Sequence, residues 1–235
     1  MSAQSITRRL TQADLARLHA AGEKVVMFTC YDASFARLLD GAGVDALLIG
    51  DSLGNVIQGH DTTLPVTVAD IAYHTAAVKR GSDRPFIIAD MPFGSYQEAP
   101  AQALRNAVTL LAAGAQMVKL EGGREMAATV DFLVSRGIPV CGHLGLTPQS
   151  VHALGGYRVQ GKGEAAAQRL KDDALALQSA GATMLVLEAI PAALAAEVTA
   201  SLNIITIGIG AGKDCSAQVM LVHDAFDIPP GRKAR

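Results

Sequence analysis

Acidic side chains recur where short apolar runs end. Five such runs end on a polar residue, and these residues are Asp51, Asp90, Glu121, His143 and Glu188. Continuous apolar runs of this length are typical of strands buried on both faces of a parallel sheet. The carboxyl ends of such strands meet at one edge, which in a closed barrel is where active sites lie. Carboxylates gathered at that edge repel one another unless a cation neutralises them, so the pattern indicates a divalent metal site.

Three of these acids follow consecutive strands. Neighbouring strands lie about 4.8 Å apart, so Asp51, Asp90 and Glu121 could surround one ion. Oxygen donors favour Mg²⁺ over zinc or copper, and Mg²⁺ usually takes only one or two carboxylates directly. For any single acid, capping of the following helix is an equally good explanation.

The other polar residues at this edge are a candidate base and candidate substrate anchors. Glu188 lies across the predicted sheet from the three acids, where a lone carboxylate could take a proton; a solvated acid is the alternative. Lys119 shares a strand face with Glu121 and could bind an anionic substrate group or pair with an acid. His143 could donate to a substrate oxygen or be a structural residue.

Helical and strand patterns alternate along the whole chain. A first helix is predicted over 9–22, with Thr11 as its N-cap, and eight strands follow with helices between most consecutive pairs. The last strand is predicted over 219–222, and residues 52–66 are predicted to be a polar loop. This alternation predicts a single (βα)8 TIM barrel domain over residues 1–235, with an open doubly wound sheet as the alternative.

Composition excludes several classes of function. The 235 residues are 50% hydrophobic and carry a formal net charge of -2, which argues against binding nucleic acid or an anionic membrane. No apolar stretch approaches the roughly 20 residues that cross a bilayer, and the N-terminus has no signal core, so we expect a cytoplasmic protein. The three cysteines have no metal-binding spacing. Pro229 and Pro230 follow the last strand closely, which predicts that the last helix of the barrel is missing.

Five longer segments are more specific than any single residue. They are Val44–Gly54, Gln58–Val66, Met117–Gly123, Cys141–Gln149 and Gly208–Gly212. Together they resemble the ketopantoate hydroxymethyltransferase family, with similarity over roughly residues 5–226. The resemblance implies a barrel similar to the phosphoenolpyruvate mutase group, Mg²⁺ as cofactor and 5,10-methylenetetrahydrofolate as one-carbon donor. It also implies a homo-oligomer, often a decamer in this family.

The resemblance implies a reaction and a set of residue roles. A hydroxymethyl group would pass to 3-methyl-2-oxobutanoate through a Mg-stabilised enolate, giving 2-dehydropantoate for pantothenate synthesis. Asp51, Asp90 and Glu121 are implied at the metal, and Glu188 is implied as proton acceptor. Substrate binding is implied for Asp51, Ser52, Asp90, Lys119 and His143.

Two stretches depart from the family pattern. Ser216-Ala217-Gln218 stands where members usually carry Asp-Gly-Gln, and the segment after Phe226 differs from the usual C-terminal segment. Two alternative interpretations therefore stay open: a Mg-dependent 2-oxo acid lyase or mutase on a similar barrel, and a catalytically impaired, truncated barrel.

Overall fold

Eight parallel strands form a closed barrel in the computed structural model, which describes residues 8–228. The strands follow one another in sequence order, and β8 pairs with β1 to close the sheet. Their bounds are β1 Val25–Thr29, β2 Ala46–Ile49, β3 Phe86–Asp90, β4 Met117–Lys119, β5 Val140–Gly145, β6 Met184–Glu188, β7 Ile205–Ile209 and β8 Ala217–Met220. The predicted TIM barrel is confirmed, and the open doubly wound alternative is wrong.

Helices follow most of the strands and cover the outside of the barrel, although in the described chain none lies between β7 and β8. Their bounds are α1 Gln12–Ala20, α2 Ala33–Gly41, α3 Leu53–Val56, α4 Val68–Gly81, α5 Pro100–Ala113, α6 Ala127–Val134, α7 Glu164–Ser179, α8 Ala192–Ser201 and α9 Val222–Ala225. Buried side chains such as Leu47 and Ile87 point outward from the strands and pack against this layer. Within residues 8–228, no helix is both long and apolar enough to span a membrane.

The inside of the barrel changes character along each strand. Alternate residues point inward, so Phe86, Ile88 and Asp90 share one face of β3. The first two belong to the apolar core inside the barrel, which continues through Met184 and Val186 on β6. On β3 to β6 the inward positions are therefore apolar at the amino ends of the strands and polar at their carboxyl ends, where the site lies.

Helix α1 closes the opposite, amino end of the barrel. Leu10 and Leu15 pack into the apolar core inside the strands and are almost fully buried. Thr11 is the N-cap, as predicted: its hydroxyl accepts from the backbone N–H of Asp14, whose carboxylate accepts from the backbone N–H of Thr11. This reciprocal pair satisfies two backbone donors that a helix start otherwise leaves open.

Loss of this cap should weaken the closure of the barrel. We expect Thr11→Ala to lower the free energy of unfolding by about 1 kcal/mol, because the N–H of Asp14 loses its acceptor. Urea denaturation at 25 °C would measure this. Thr109→Ala is the matched control, since Thr109 is exposed inside α5, where alanine favours the helix. Equal losses in both variants would contradict the capping role.

Two segments differ from the sequence-based expectations, and a third lies partly outside the described residues. The predicted loop over 52–66 contains the short helix α3, which begins directly after the site residues Asp51 and Ser52. The last strand lies two residues earlier than predicted, because Val222 already starts α9 and its N–H donates to Thr29 Oγ1 at 3.0 Å. The predicted absence of the last helix concerns the residues after Asp224, of which 229–235 lie outside the described part of the chain.

Candidate active site

A cavity of about 170 Å³ opens at the carboxyl ends of the strands. Its wall is polar on the side of β2 to β6 and apolar on the side of β7 and β8, where Ile209 and Val219 lie. It brings together every site residue predicted from the sequence: Asp51, Ser52, Asp90, Lys119, Glu121, His143 and Glu188. The structure therefore gathers the predicted residues in one cavity, and their roles stay predictions.

Asp51 and Asp90 form the buried acidic centre of the cavity. The backbone N–H of Asp51 donates to Oδ2 of Asp90 at 2.9 Å, and both side chains are almost fully buried. Burial, followed by the charges of Asp90 and Glu121, raises the pKa of Asp51 to about 7. Burial also raises the pKa of Asp90. The pair therefore holds less negative charge near neutral pH than two exposed carboxylates would.

Lys119 is the buried cation of the site. It pairs in register with Asp90 on the neighbouring strand, which places its Nζ 2.7 Å from Asp90 Oδ1. Burial alone favours the neutral amine, but the charges of Asp90, Glu121 and Asp51 outweigh it and raise the pKa of Lys119. The amine stays charged and balances one of the buried acids.

His143 connects the acidic centre to Glu188. Its Nδ1 lies 3.2 Å from Lys119 Nζ and 3.4 Å from Glu121 Oε1, and its Nε2 lies 3.2 Å from Glu188 Oε2. Burial and the Lys119 charge favour the neutral ring, but the neighbouring carboxylates of Glu121 and Glu188 favour the charged one and raise the pKa of His143 to about 9. The Glu188 side chain is 22% exposed, against 3% for that of His143, so Glu188 is the acid with access to solvent.

The backbone around Glu188 is held in unusual conformations. Ala189 has a positive φ of 47°, and its N–H donates to the Ile209 carbonyl at 2.9 Å. Gly145 on β5 has φ 93°, and a Cβ there would overlap the Glu188 carbonyl oxygen. Left-handed backbone at a non-glycine residue is strained and persists where surrounding contacts enforce it. The ends of β5 and β6 thus fix where the Glu188 carboxylate stands.

Ser52 is placed by a tyrosine and a glycine. Its Oγ lies 2.8 Å from the hydroxyl of the buried Tyr31. A Cβ on Gly50 would lie 2.7 Å from that Oγ and 3.5 Å from Asp90 Oδ2. The absence of a side chain at Gly50 therefore lets the Ser52 hydroxyl and the Asp90 carboxylate lie this close to the backbone of residue 50.

Sequence reasoning missed three buried residues that contact the predicted site. Tyr31 reaches Ser52, and Tyr96 and Gln149 both bond to Asp51 or Glu121. Gln149 stands in one of the segments that resemble the family, but nothing in its spacing marked it as a site residue. Its long separation from Asp51 in sequence hides the contact.

The acids suit a hard cation. Among residues 8–228, no three His, Cys, Asp or Glu side chains are arranged to hold a metal by themselves. Mg²⁺ needs fewer, because it keeps waters and binds through one or two carboxylates and the substrate. Asp51 and Asp90 offer such a pair, and Glu121 Oε1 is buried without a hydrogen-bond partner. The donors are all oxygen, so the residues present fit Mg²⁺.

Comparison with known proteins decides the family. The model of the ketopantoate hydroxymethyltransferase family matches residues 9–235. The chain belongs to this family. A 3-methyl-2-oxobutanoate hydroxymethyltransferase of Dechloromonas aromatica is 83% identical over the whole chain, which covers 86% of that relative. One of Aromatoleum aromaticum is 65% identical over 96% of this chain and 84% of the relative.

Family membership makes the chain a hydroxymethyltransferase, as the resemblance implied. The match extends to residue 235, so it includes the residues after Phe226. Solved structures extend the fold likeness to the phosphoenolpyruvate mutase group. A phosphoenolpyruvate phosphomutase from Streptomyces platensis subsp. rosaceus has a TM-score of 0.70 at 14% identity, over 92% of this chain and 83% of that one. A phosphonopyruvate hydrolase has a TM-score of 0.68 at 14% identity, over 91% and 81%.

Proposed function

We propose that this enzyme transfers a hydroxymethyl group from 5,10-methylenetetrahydrofolate to 3-methyl-2-oxobutanoate and forms 2-dehydropantoate. The observation that carries the proposal is the partly exposed carboxylate of Glu188 beside a buried group of three acids and one lysine. A relative named for this oxo acid is 83% identical over the whole chain. The lyase or mutase alternative has weaker support, because neighbours of that kind are only distant in sequence.

The cavity suits a small 2-oxo acid. Its volume of about 170 Å³ fits a molecule with few heavy atoms, and its apolar wall suits the branched carbon chain. Lys119 supplies a buried positive charge for an anionic oxygen, and Ser52 supplies a hydroxyl held by Tyr31. We assign these two residues to the carboxylate and keto oxygens of the substrate.

Asp51 and Asp90 would hold Mg²⁺, with Glu121 beside it. The bound cation would polarise the keto group and stabilise the enolate that forms when the C3 proton leaves. In the protein alone, Lys119 already offsets part of the acidic charge. Burial is the largest cause of the raised pKa of Asp51, and the charges of Asp90 and Glu121 raise it further despite Lys119.

Glu188 is the proposed base. Its carboxylate takes the C3 proton, and the electron pair of the C–H bond becomes the enolate. Water breaks the two C–N bonds of the folate methylene bridge, protonates both nitrogens and supplies the hydroxyl oxygen, so that tetrahydrofolate leaves. The enolate carbon then bonds to the released one-carbon unit, and the alkoxide that forms takes up one proton, which balances the one removed by Glu188. His143 Nε2 lies 3.2 Å from Glu188 Oε2 and orients the carboxylate. Exposure of Glu188 lets the proton pass on to solvent.

Assembly and location remain predictions. We expect a homo-oligomer, with the decamer of the family as the first candidate, acting in the cytoplasm on small molecules, without nucleic acid or membrane as a partner. Light scattering of the purified protein would measure the assembly.

The proposed reaction is tested by following products. Purified protein with the oxo acid, methylenetetrahydrofolate and Mg²⁺ should give 2-dehydropantoate, measured by mass spectrometry. Chelation by EDTA should remove the activity and added Mg²⁺ should restore it, because the acids need the cation. Full turnover after chelation would contradict the metal assignment. Cleavage of the oxo acid without folate would instead support the lyase or mutase, and no turnover at all would support the impaired barrel.

A further inference from the structure

Each buried acid of the site has one carboxylate oxygen bound by a donor from the protein. Asp90 Oδ2 accepts from the Asp51 N–H at 2.9 Å, and Asp51 Oδ2 accepts from Gln149 Nε2 at 2.9 Å. Glu121 Oε2 accepts from the backbone N–H of Gln149 at 3.0 Å. Two of these three donors come from one residue. Of the other oxygens, Asp90 Oδ1 pairs with Lys119 Nζ at 2.7 Å, and Glu121 Oε1 lies 3.4 Å from His143 Nδ1 without a hydrogen bond.

We propose that Gln149 is a positioning residue that turns Asp51 and Glu121 toward the bound cation. The proposal rests on the proposed function, since the cation is part of it. Gln149 lies in the loop after β5, far in sequence from both acids, yet it is almost fully buried beside them. Residues that hold metal ligands by hydrogen bonds fix the direction in which the ligand oxygens point.

The contacts of the Gln149 amide leave it only one orientation. Its Nε2 donates to Asp51 Oδ2 and to the Met91 carbonyl, both at 2.9 Å. Its Oε1 accepts from the Tyr96 hydroxyl at 2.7 Å and from Gln97 Nε2 at 3.3 Å. A flipped amide would place its oxygen against a carboxylate and a carbonyl and leave three groups unpaired. All the hydrogen-bonding capacity of the amide is therefore used, and its direction is defined.

Tyr96 extends the same support to Glu121. Its hydroxyl accepts from the backbone N–H of Glu121 at 3.0 Å while it donates to Gln149 Oε1. Glu121 is thus held through its main chain by Tyr96 and through Oε2 by Gln149. Its Oε1 is buried and makes no hydrogen bond, and His143 Nδ1 lies 3.4 Å away. A buried carboxylate oxygen without a hydrogen bond is destabilising, and a cation or its bound water would satisfy it.

A purely structural role for Gln149 makes a different prediction. In that case Gln149 only ties its loop to the barrel, and its loss lowers stability without changing the site. Gln116 provides the matched comparison, since it joins separate segments at the opposite end of the barrel. Its Nε2 donates to the Leu10 carbonyl at 2.8 Å, and its Oε1 accepts from the Ile87 N–H at 3.1 Å.

The experiment compares Gln149→Met with Gln116→Met in the full chain. Methionine keeps similar length and removes the amide. Mn²⁺ binding is measured by electron paramagnetic resonance, and stability by urea denaturation. We expect both variants to lose stability, but only Gln149→Met to raise the Mn²⁺ dissociation constant, by about 10–100-fold. Tyr96→Phe should raise it in the same direction by less, since the amide keeps its donors to Asp51 and Met91.

Each outcome bears on the inference separately from the proposed function. A Mn²⁺ dissociation constant within twofold of wild type in Gln149→Met, with the site lost in Asp51→Ala, overturns the positioning role and leaves the metal site intact. Equal weakening in Gln149→Met and Gln116→Met also overturns it, because general loosening then explains both. A wild-type chain that binds no Mn²⁺ overturns the metal site and this inference together.

Discussion

Replacing Glu188 with glutamine should nearly abolish deuterium exchange at C3 of 3-methyl-2-oxobutanoate. Glutamine keeps the size of the side chain but cannot take a proton, so the first step of the proposed reaction fails. Loss of a general base typically lowers a rate by about 10²–10⁴-fold. Proton exchange in D₂O, followed by nuclear magnetic resonance with Mg²⁺ and without folate, isolates this step from carbon transfer.

Substrate binding should change little in the same variant, since Lys119 and Ser52 hold the oxo acid in the proposal. Glu197→Gln is the control for the chemical change, because Glu197 is exposed on α8 and pairs with Lys171. It should exchange deuterium at the wild-type rate. Exchange at that rate in Glu188→Gln would show that another group is the base. Loss of binding together with exchange would place Glu188 among the substrate anchors instead.

The barrel was predictable because the same hydrophobic pattern recurs in strand after strand along the sequence. Most strands are short apolar runs, and on β3 to β6 the inward series changes from apolar to polar at its carboxyl end, as Phe86, Ile88 and Asp90 show on β3. Parallel strands bring such ends together whatever their distance in sequence. The acids, Lys119 and His143 therefore met in one cavity as expected, although their residue roles still await measurement.

The remaining details depend on contacts that no local pattern encodes. Gln149 matters because its amide reaches Asp51 from a distant loop, and Tyr31 because its hydroxyl meets Ser52. The bounds of the last strand were predicted wrongly. Val219 to Val222 form an apolar run, but Val222 begins a helix, and its N–H donates to Thr29 Oγ1. A side-chain acceptor on another strand is invisible to periodicity.

Asp51→Asn should abolish Mn²⁺ binding and, without metal, stabilise the protein. Burial beside Asp90 raises the pKa of Asp51 to about 7, against about 4 in an unfolded chain. Between these values the native state holds a proton that the unfolded state has released. The free energy of unfolding therefore falls as pH rises from about 4 to about 7, and the loss is complete above that range. For three pKa units this amounts to about 4 kcal/mol at most.

Asparagine removes this charge and keeps an oxygen to accept from Gln149. The variant should therefore be more stable than wild type at pH 8, by about 2–4 kcal/mol, and its stability should depend less on pH. Urea denaturation at pH 5 and pH 8 in EDTA measures both effects. Asp214→Asn, an exposed site, is the control and should leave the pH dependence unchanged. Lower stability at pH 8 in Asp51→Asn would show that the carboxylate is structural.

Added Mg²⁺ should reverse the order of the two proteins. The cation binds the native wild type and not the unfolded chain, so it stabilises by an amount that grows with its concentration over the dissociation constant. Asp51→Asn lacks a carboxylate ligand and should gain little. An acid retained for packing would lower stability when removed, with or without metal. An acid that serves as a metal ligand should instead destabilise the metal-free protein and stabilise only the Mg²⁺-bound protein. This change in the sign of the stability effect would identify Asp51 as a metal ligand.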